Sequence, residues 1–528
     1  MKPLPIGTQY FPHIAEGDYL YVDKTEQIYQ LIHSVRVGFL ARPRRFGKSL
    51  LISTLETIFR GRKALFKDLW IGKRDYDWQQ YPVIKIDFSA LTNTNAAALK
   101  KAIKNRLLRI YQQYQISPAQ VDDLKLLFED LITQLSITQA KQVVLLIDEY
   151  DKPIIDHITD LETAEANRSV LKQFYSVIKP SDEYLRFVFI TGISKFSQVS
   201  IFSDLNSLQD ISLSIKYASL LGITQEELEH NFTPYLQALA SGQELSEAEA
   251  WKEVKYWYNG FNFTSANITV YNPFSTLLLF EQQEFRSYWF ATATPSFLVK
   301  LIQQQNYDIT ALETTPFHEL SLVSFDIDKL KIPVLLLQTG YLTLASYDKQ
   351  TQFYRLRYPN YEVKQAFLNQ LSESYAKVDS DLTLGYLHKL KASLATNKLE
   401  DFFETLSIFF ANIPYHIQLN NEKYYQSIFY LVFTLLGLHI EVEVMTNKGR
   451  IDVVIELADS IYLFEFKLRD SAESALQQIK TKGYYEKYLR QGKALCLVGV
   501  GFDQDARNIG EFLVETCCNR FFNLIDNI

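Results

Sequence analysis

From Val37 to Phe59 the chain reads VGFLARPRRFGKSLLISTLETIF, a short apolar strand, a turn with three arginines, and an amphipathic helix. Gly47-Lys48-Ser49 is the second half of the pattern G-x-x-x-x-G-K-[ST], in the strand-before, helix-after setting that pattern needs. Each residue type has a physical task there. Gly47 lets the backbone approach phosphate, the N–H groups opening the Lys48 helix point at the anion, Lys48 reaches the β- and γ-phosphates, and Ser49 can ligate Mg²⁺. The spacing puts Arg42 where the first glycine stands. Arg42, Arg44 and Arg45 then offer three guanidinium forks around Phe46 in a loop already suited to anions. A solvated basic turn ahead of a core helix is the competing account.

A loop of this kind calls for a second signal, an apolar strand ending in acid, and Val143 to Glu149 (VVLLIDE) supplies it. Asp148 would hold Mg²⁺ through water or Ser49, and Glu149 would act as general base on the attacking water. Alone, such a strand end is more often only a strand leaving the core. Pro82 to Ser89 reads as another strand, Ala96 to Leu135 as two or more helices, and Leu185 to Thr191 as a strand whose polar end suits a γ-phosphate sensor. Thr191 or Ser194 could serve, unless the residue is only a strand end before the Gly192 turn. Thr224-x-x-Glu227 is a capping box that should open a helix of a small lid. No spacing picks out an arginine finger, and Arg186 and Arg286 are named without a motif behind them.

The composition shifts near Glu441, where EVEVMTNKGRIDVVIELADSIYLFEFKLRD reads as strands joined by Asn-Lys-Gly and Ala-Asp-Ser turns. Asp452 is followed after twelve residues by Glu465-Phe466-Lys467. Strand alternation puts Glu465 and Lys467 on one face, and the preceding strand brings Asp452 beside them. The two carboxylates would bind Mg²⁺ or Mn²⁺, the metal would generate a hydroxide nucleophile, and the Lys467 ammonium would position it and stabilise phosphorane charge. A solvated strand face is the alternative, but charge among Phe464, Phe466 and Leu468 is costly without metal or partners. An Asp470-x-x-Glu473 box should cap the following helix.

Together PIGTQYF, YLYVDKTEQIYQLI, RPRRFGKSLL, IDEYDKP and TGISKFSQVSIFSDLNSLQDIS resemble the AAA-ATPase-like proteins, which often carry a C-terminal PD-(D/E)xK nuclease domain. The resemblance covers most of the chain. It implies that Arg42 is in pattern, that the first 35 residues pack beside the nucleotide, and that the base glutamate follows the metal aspartate. It also implies that Glu422 lies beside the nuclease metal and that Gln478 faces the nuclease site. A homo-oligomer whose neighbour completes the ATP site is a further implication, as is a winged-helix-like unit around Leu335 to Phe367.

At 528 residues with 47% hydrophobic and 14% aromatic content, the chain can bury cores for about two to four domains. A formal charge of -7 excludes a broad basic surface, so nucleic acid would be met by local patches. Arg355, Arg357 and Lys364 form one such cluster, with a solvated sheet edge as the plainer account. The aromatic stretch from Trp251 to Phe297 could stack bases but is better explained as core. Cys496, Cys517 and Cys518 have no zinc spacing and suit a reducing compartment. No segment reads as a signal peptide, and the apolar run from Ile428 to Ile440 is too short and interrupted to span a bilayer, so a cytoplasmic location without membrane contact is expected.

The fold class expected is α/β and multidomain: a P-loop NTPase core with helical lid, a helical or winged-helix-like middle, and a restriction-endonuclease-like end. The divisions are 1–215 for the ATPase core, 216–300 for the lid and aromatic segment, 301–380 for the winged-helix-like region, 381–412 for a connector and 413–528 for the nuclease-like domain. Function is expected to be that of an ATP-binding ATPase controlling a Mg²⁺-dependent nuclease on nucleic acid, with DNA favoured. The alternative is an NTP-switched binding protein whose nuclease-like domain does not cut.

Overall fold

In the computed structural model the strand feeding the glycine-lysine loop is β1 (Val37–Ala41), buried at every position. Residues described are 1–195, 201–202, 205–289, isolated positions from 298 to 321, 331–376, 380–411, 422–435, 439–446, 449–468, 470–489, 492–503 and 508–517. The chain divides into two units, Met1–Phe297 with Glu313–Lys364, and Leu298–Leu312 with Gln365–Ile528.

In the first unit β1 joins β2 (Val83–Asp87), β3 (Val143–Asp148), β4 (Leu185–Gly192) and β5 (Gln209–Asp210) in an all-parallel sheet of order β2-β3-β4-β1-β5. Helices cover both faces, which is why β1, β3 and β4 read as nearly unbroken apolar runs. On one face Phe39, Ile84, Leu145 and Ile190 pack with residues of the helices Ala96–Gln113, Leu124–Gln139 and Leu161–Tyr175. On the other lies the loop helix, Lys48–Phe59, with Phe59 against Phe187 of β4. Leu40 pairs with Thr191 and Ile147 with Ile190, so β4 stands between the two motif strands. Their ends, and whatever polar residues follow, therefore open on one edge of the sheet, where α/β ligands bind.

The lid helices Gln225–Gly242 and Glu247–Tyr258 each open with a complete capping box, Thr224 with Glu227 and Ser246 with Glu249. The aromatic stretch that follows is largely core as far as it is described, although Tyr256 is exposed and residues 290–297 lie outside the described residues. Tyr258, Phe261, Tyr271 and Trp289 are all buried, flanking the short hairpin of β6 (Phe261–Asn262) and β7 (Thr269–Val270). Then come the helix Ile332–Thr339 and an antiparallel sheet of β8 (Phe317–His318), β10 (Phe353–Arg357) and β9 (Thr343–Asp348). Arg355 and Arg357 sit on the exposed side of β10 while Tyr354 and Leu356 are buried.

The second unit holds a mixed sheet of order β11 (His439–Thr446), β12 (Gly449–Glu456), β13 (Ser460–Lys467), β14 (Ala494–Asp503), β15 (Asn508–Cys517). All pairs are antiparallel except β13 with β14, which are linked by the helix Ala472–Thr481. Leu463, Leu476, Ile479 and Leu497 pack on that helix's side. On the other side, Phe403 of the helix Leu399–Ala411 meets Phe464 and Phe512, and Phe429 of the helix Glu422–Leu435 meets Phe466. The helix cap differs from expectation. Ser471, not Asp470, is the N-cap, accepting from Ser474 N at 3.1 Å. Asp470 lies one residue before and accepts from Ser471 N and Ser474 Oγ, while Glu473 falls in the first turn.

Candidate active sites

Gly47 caps the loop helix at φ 87°, a left-handed conformation glycine adopts without steric penalty. The helix therefore begins at Lys48 with its first N–H groups free of a side-chain cap. Lys48 is buried, and its Nζ folds back to donate to Arg42 O at 2.9 Å and Pro43 O at 3.0 Å. Burial lowers its pKa, while Glu149, Asp148 and Asp151 pull it up and Arg44 pushes it down. Those three carboxylates and Arg44 are thus the charges that Lys48 senses. Phosphate oxygens would replace the two carbonyls as partners.

Arg42 departs from the expectation that its fork faces the anion. Its backbone N extends the β1–β4 pairing by donating to Gly192 O, and its buried side chain turns inward. Nη1 donates to Ala41 O and Ser212 O, Nη2 to Tyr217 O, and the guanidinium lies 4.3 Å from the centre of the Phe263 ring. A planar cation can be buried this way because carbonyls and a ring face together replace its water. Phe46 is buried too, edge-on to Phe261 and Phe263, which leaves only its main chain for a ligand. Arg45 is exposed with φ 68° and lies over Phe274. Two lid side chains grip the loop's carbonyls, Trp289 Nε1 on Arg44 O at 3.2 Å and Asn272 Nδ2 on Arg45 O at 3.4 Å.

At the end of β3, Asp148 is buried and accepts a 2.5 Å hydrogen bond from Thr191 Oγ1. Thr191 thus orients the carboxylate expected to hold metal. Glu149 turns to φ 51°, an uncommon conformation for a residue other than glycine and one that recurs at functional turns. Burial raises its carboxyl pKa, Lys48 lowers it, and Asp148, Asp151 and Asp87 raise it further. Sequence reasoning gave Asp151 no role, yet it is fully buried and accepts from Ile193 N, Ser194 N and Ser194 Oγ. It locks the turn after β4 to the turn after β3. Its signal was the third acid of IDEYD. Lys195 and Asp210, also unassigned, form a 2.7 Å ion pair beside Arg42's partner Ser212, with the lysine buried and the aspartate at the exposed edge strand β5. Of the arginine-finger candidates, Arg286 pairs with Glu284 and Arg186 lies near the Tyr81 ring.

Beside Gly47 an apolar cavity of about 110 Å³ opens between the N-terminal segment, the loop helix and the lid. Tyr21, Val22, Leu50, Ile223, Phe232 and Leu277 are among its lining residues.

In the second unit Val453 pairs with Phe464, and one step further that register sets Asp452 opposite Glu465. Asp452 Oδ2 accepts from Phe466 N at 2.9 Å. Glu465 is buried and Lys467 half-buried, their charged atoms 3.8 Å apart. Gln478, one turn from the end of its helix, joins them: Oε1 accepts from Lys467 Nζ at 2.7 Å, and Nε2 donates to Glu465 Oε1. Asp452, Glu465, Lys467 and Gln478 are therefore one connected cluster. Two hard carboxylates, one of them buried, suit a divalent cation that completes its shell with water. Among the described residues no group of three or more metal-ligating side chains occurs. Glu422 opens its helix, but its side chain lies outside the described residues.

These features define a P-loop ATPase-like core followed by a nuclease-like domain. Residues 5–202 match the family model described as a predicted AAA-ATPase, and residues 420–512 that of the PD-(D/E)XK nuclease superfamily. A protein of Azotobacter chroococcum mcd 1, described as an uncharacterized protein in the vnfD 5' region, is 40% identical over 98% of this chain and 99% of its own length. The chain belongs to this AAA-ATPase-like family with a C-terminal PD-(D/E)XK nuclease-superfamily domain. Among solved structures, the Aeropyrum pernix Orc1 protein in complex with DNA aligns with 70% of this chain and 98% of its own, at 10% identity and a TM-score of 0.25. Among the described residues no helix is long and apolar enough to cross a membrane.

Proposed function

We propose that this protein binds and hydrolyses ATP and that its nucleotide state controls a metal-dependent nuclease acting on nucleic acid, DNA in the first instance. The observation that carries the cutting activity is the linked cluster of Asp452, Glu465, Lys467 and Gln478, whose charges no purely structural strand face would need. Supporting the ATPase are Lys48 among Glu149, Asp148 and Asp151, and the apolar cavity beside Gly47, which is the natural seat of the base.

In the ATPase site, loop N–H groups and Lys48 bind the β- and γ-phosphates, aided by Arg44 and Arg45. Ser49 and Asp148 would hold Mg²⁺, Thr191 orients Asp148, and Glu149 takes the proton of the attacking water. At the nuclease site Asp452 and Glu465 would hold Mg²⁺ or Mn²⁺, with Glu422 beside them. Bound metal supplies water activation and charge neutralisation at both sites. Lys467, steered by Gln478, donates to the phosphate oxygen as charge builds on it. A cytoplasmic location, the five-part division of the chain and assembly into a homo-oligomer complete the proposal.

The test is a cleavage assay on circular single-stranded DNA, circular double-stranded DNA and RNA with Mg²⁺ or Mn²⁺, comparing wild type with Asp452→Ala and Lys467→Ala. Both variants should lose cutting by about 1,000-fold or more, as expected where a metal ligand or charge-stabilising group is removed. Wild type that hydrolyses ATP yet cuts none of the three would instead favour a nucleotide-switched binding protein.

A further inference from the structure

The cavity beside Gly47 has two walls from distant parts of the chain. Leu20, Tyr21, Val22 and Lys24 form one and residues 220–223, leading into the lid helix Gln225–Gly242, form the other. The Lys24 side chain spans them. Lys24 Nζ lies 2.6 Å from both carboxylate oxygens of Glu227 and donates to Ser219 O at 2.8 Å. With these contacts its three donors are engaged, so Lys24 lines the cavity without offering a proton to what enters. Gln27 Nε2 adds a parallel tie to Ser219 Oγ at 2.9 Å.

Glu227 has a second duty. Its Oε2 accepts from Thr224 N at 2.8 Å while Thr224 Oγ1 accepts from Glu227 N, closing the capping box of the lid helix. The ammonium thus grips the lid in the first turn of its helix, at the residue that closes the capping box. The side chains are only 11% and 24% exposed, a setting in which an ion pair is little screened. Burial lowers the Lys24 pKa, and Glu227 and Asp23 offset part of that.

We propose that Lys24 is a positioning residue for the nucleotide base: its clamp on Glu227 and Ser219 fixes the spacing between the N-terminal segment and the lid, and so sets affinity for the base but not for the polyphosphate. The inference rests on the ATP-binding reading above. It also fits the apolar character of the lining, since a slot whose one ammonium is already engaged grips a planar base by contact.

The test is calorimetric titration of the full chain with ATP and with inorganic tripolyphosphate, each with Mg²⁺, for wild type, Lys24→Met and Lys24→Arg. Lys24→Met keeps the apolar stem and removes the charge. It should weaken ATP about tenfold or more through lost preorganisation while leaving tripolyphosphate within about twofold. Lys24→Arg, which can pair with Glu227 through its fork, should restore most of the loss. The ratio of the two affinities is the decisive quantity, because misfolding lowers the number of sites and not the ratio. Equal losses for both ligands, or an unchanged ratio, would overturn the proposal. Wild type that binds ATP no better than tripolyphosphate would overturn the base slot and leave the phosphate loop standing. Wild type that binds neither would remove the ATP reading itself, and the clamp with it.

Discussion

The loop at Gly47 and the β12–β13 cluster are both proposed to receive phosphate charge, but they would use different parts of the chain to do it. At the loop the groups proposed to face the anion are main-chain N–H groups and one buried lysine, with the conformation set by Gly47. Side chains there are free to serve elsewhere, as Arg42 does on Ser212 and Tyr217. At β12 and β13 the work falls on alternate side chains, and the pairing of Val453 with Phe464 decides whether Asp452 and Glu465 meet. A backbone site tolerates substitution, whereas a side-chain site on strands depends on register, because a one-residue slip sends every group to the opposite face.

That contrast can be broken by experiment. The largest effect is expected at Glu149, the loop-side position where a side chain is expected to move a proton. Glu149→Gln should keep ATP bound in a filter assay and reduce steady-state hydrolysis by about 100- to 10,000-fold; normal turnover would move the base elsewhere. A smaller loss is expected from Gln478→Ala, which frees Lys467 and Glu465 from their common partner. Cleavage should fall about 10- to 100-fold, as for other residues that orient a metal site, with ATP hydrolysis unaltered. Equal cutting by wild type and variant would show that Lys467 holds its place unaided.

The smallest effect separates structure from chemistry. Glu362 is buried in the first unit, accepting from Ser275 Oγ at 3.1 Å and Trp289 N at 2.7 Å, and burial pushes its pKa up to about 7. The folded chain therefore keeps a proton that the unfolded chain releases above about pH 4.5. Its contribution to stability is greatest at low pH, declines as pH rises from about 4.5 to about 7, and levels off above that, a total change of no more than about 3 kcal/mol. Thermal melts between pH 5 and pH 7 should fall more steeply for wild type than for Glu362→Gln. Parallel slopes would show that Glu362 is ionised without penalty. Because Trp289 also holds Arg44 O, the same melts in the presence of ATP would show whether this acid steadies the loop.

Much of both sites is legible in the sequence. Residues 47–49, the strand ending at Asp148, and the spacing of Asp452 from Glu465 and Lys467 are local patterns whose geometry follows from helix and strand periodicity. What escapes is non-local or concealed by residue type. The insertion of β4 between β1 and β3 depends on Val37 finding Val188 and Leu40 finding Thr191, a long-range match that no local pattern announces. Arg42 lies in a basic loop and so reads as surface, yet three carbonyls and a ring let it turn inward. Asp470 and Ser471 are both good caps, and the chain direction at residue 471 decides between them. Lys24 and Glu227 stand 203 residues apart, beyond the reach of any spacing rule.

The most direct test of the central claim, that nucleotide state controls cutting, is the rate at which circular DNA is cleaved with Mg²⁺ in the presence and absence of ATP, by wild type and by Lys48→Ala. The account predicts that ATP changes the wild-type rate by about tenfold or more and leaves Lys48→Ala, which cannot hold the phosphates, unaffected. Cleavage by wild type that is the same with and without ATP, and the same again in Lys48→Ala, would contradict it.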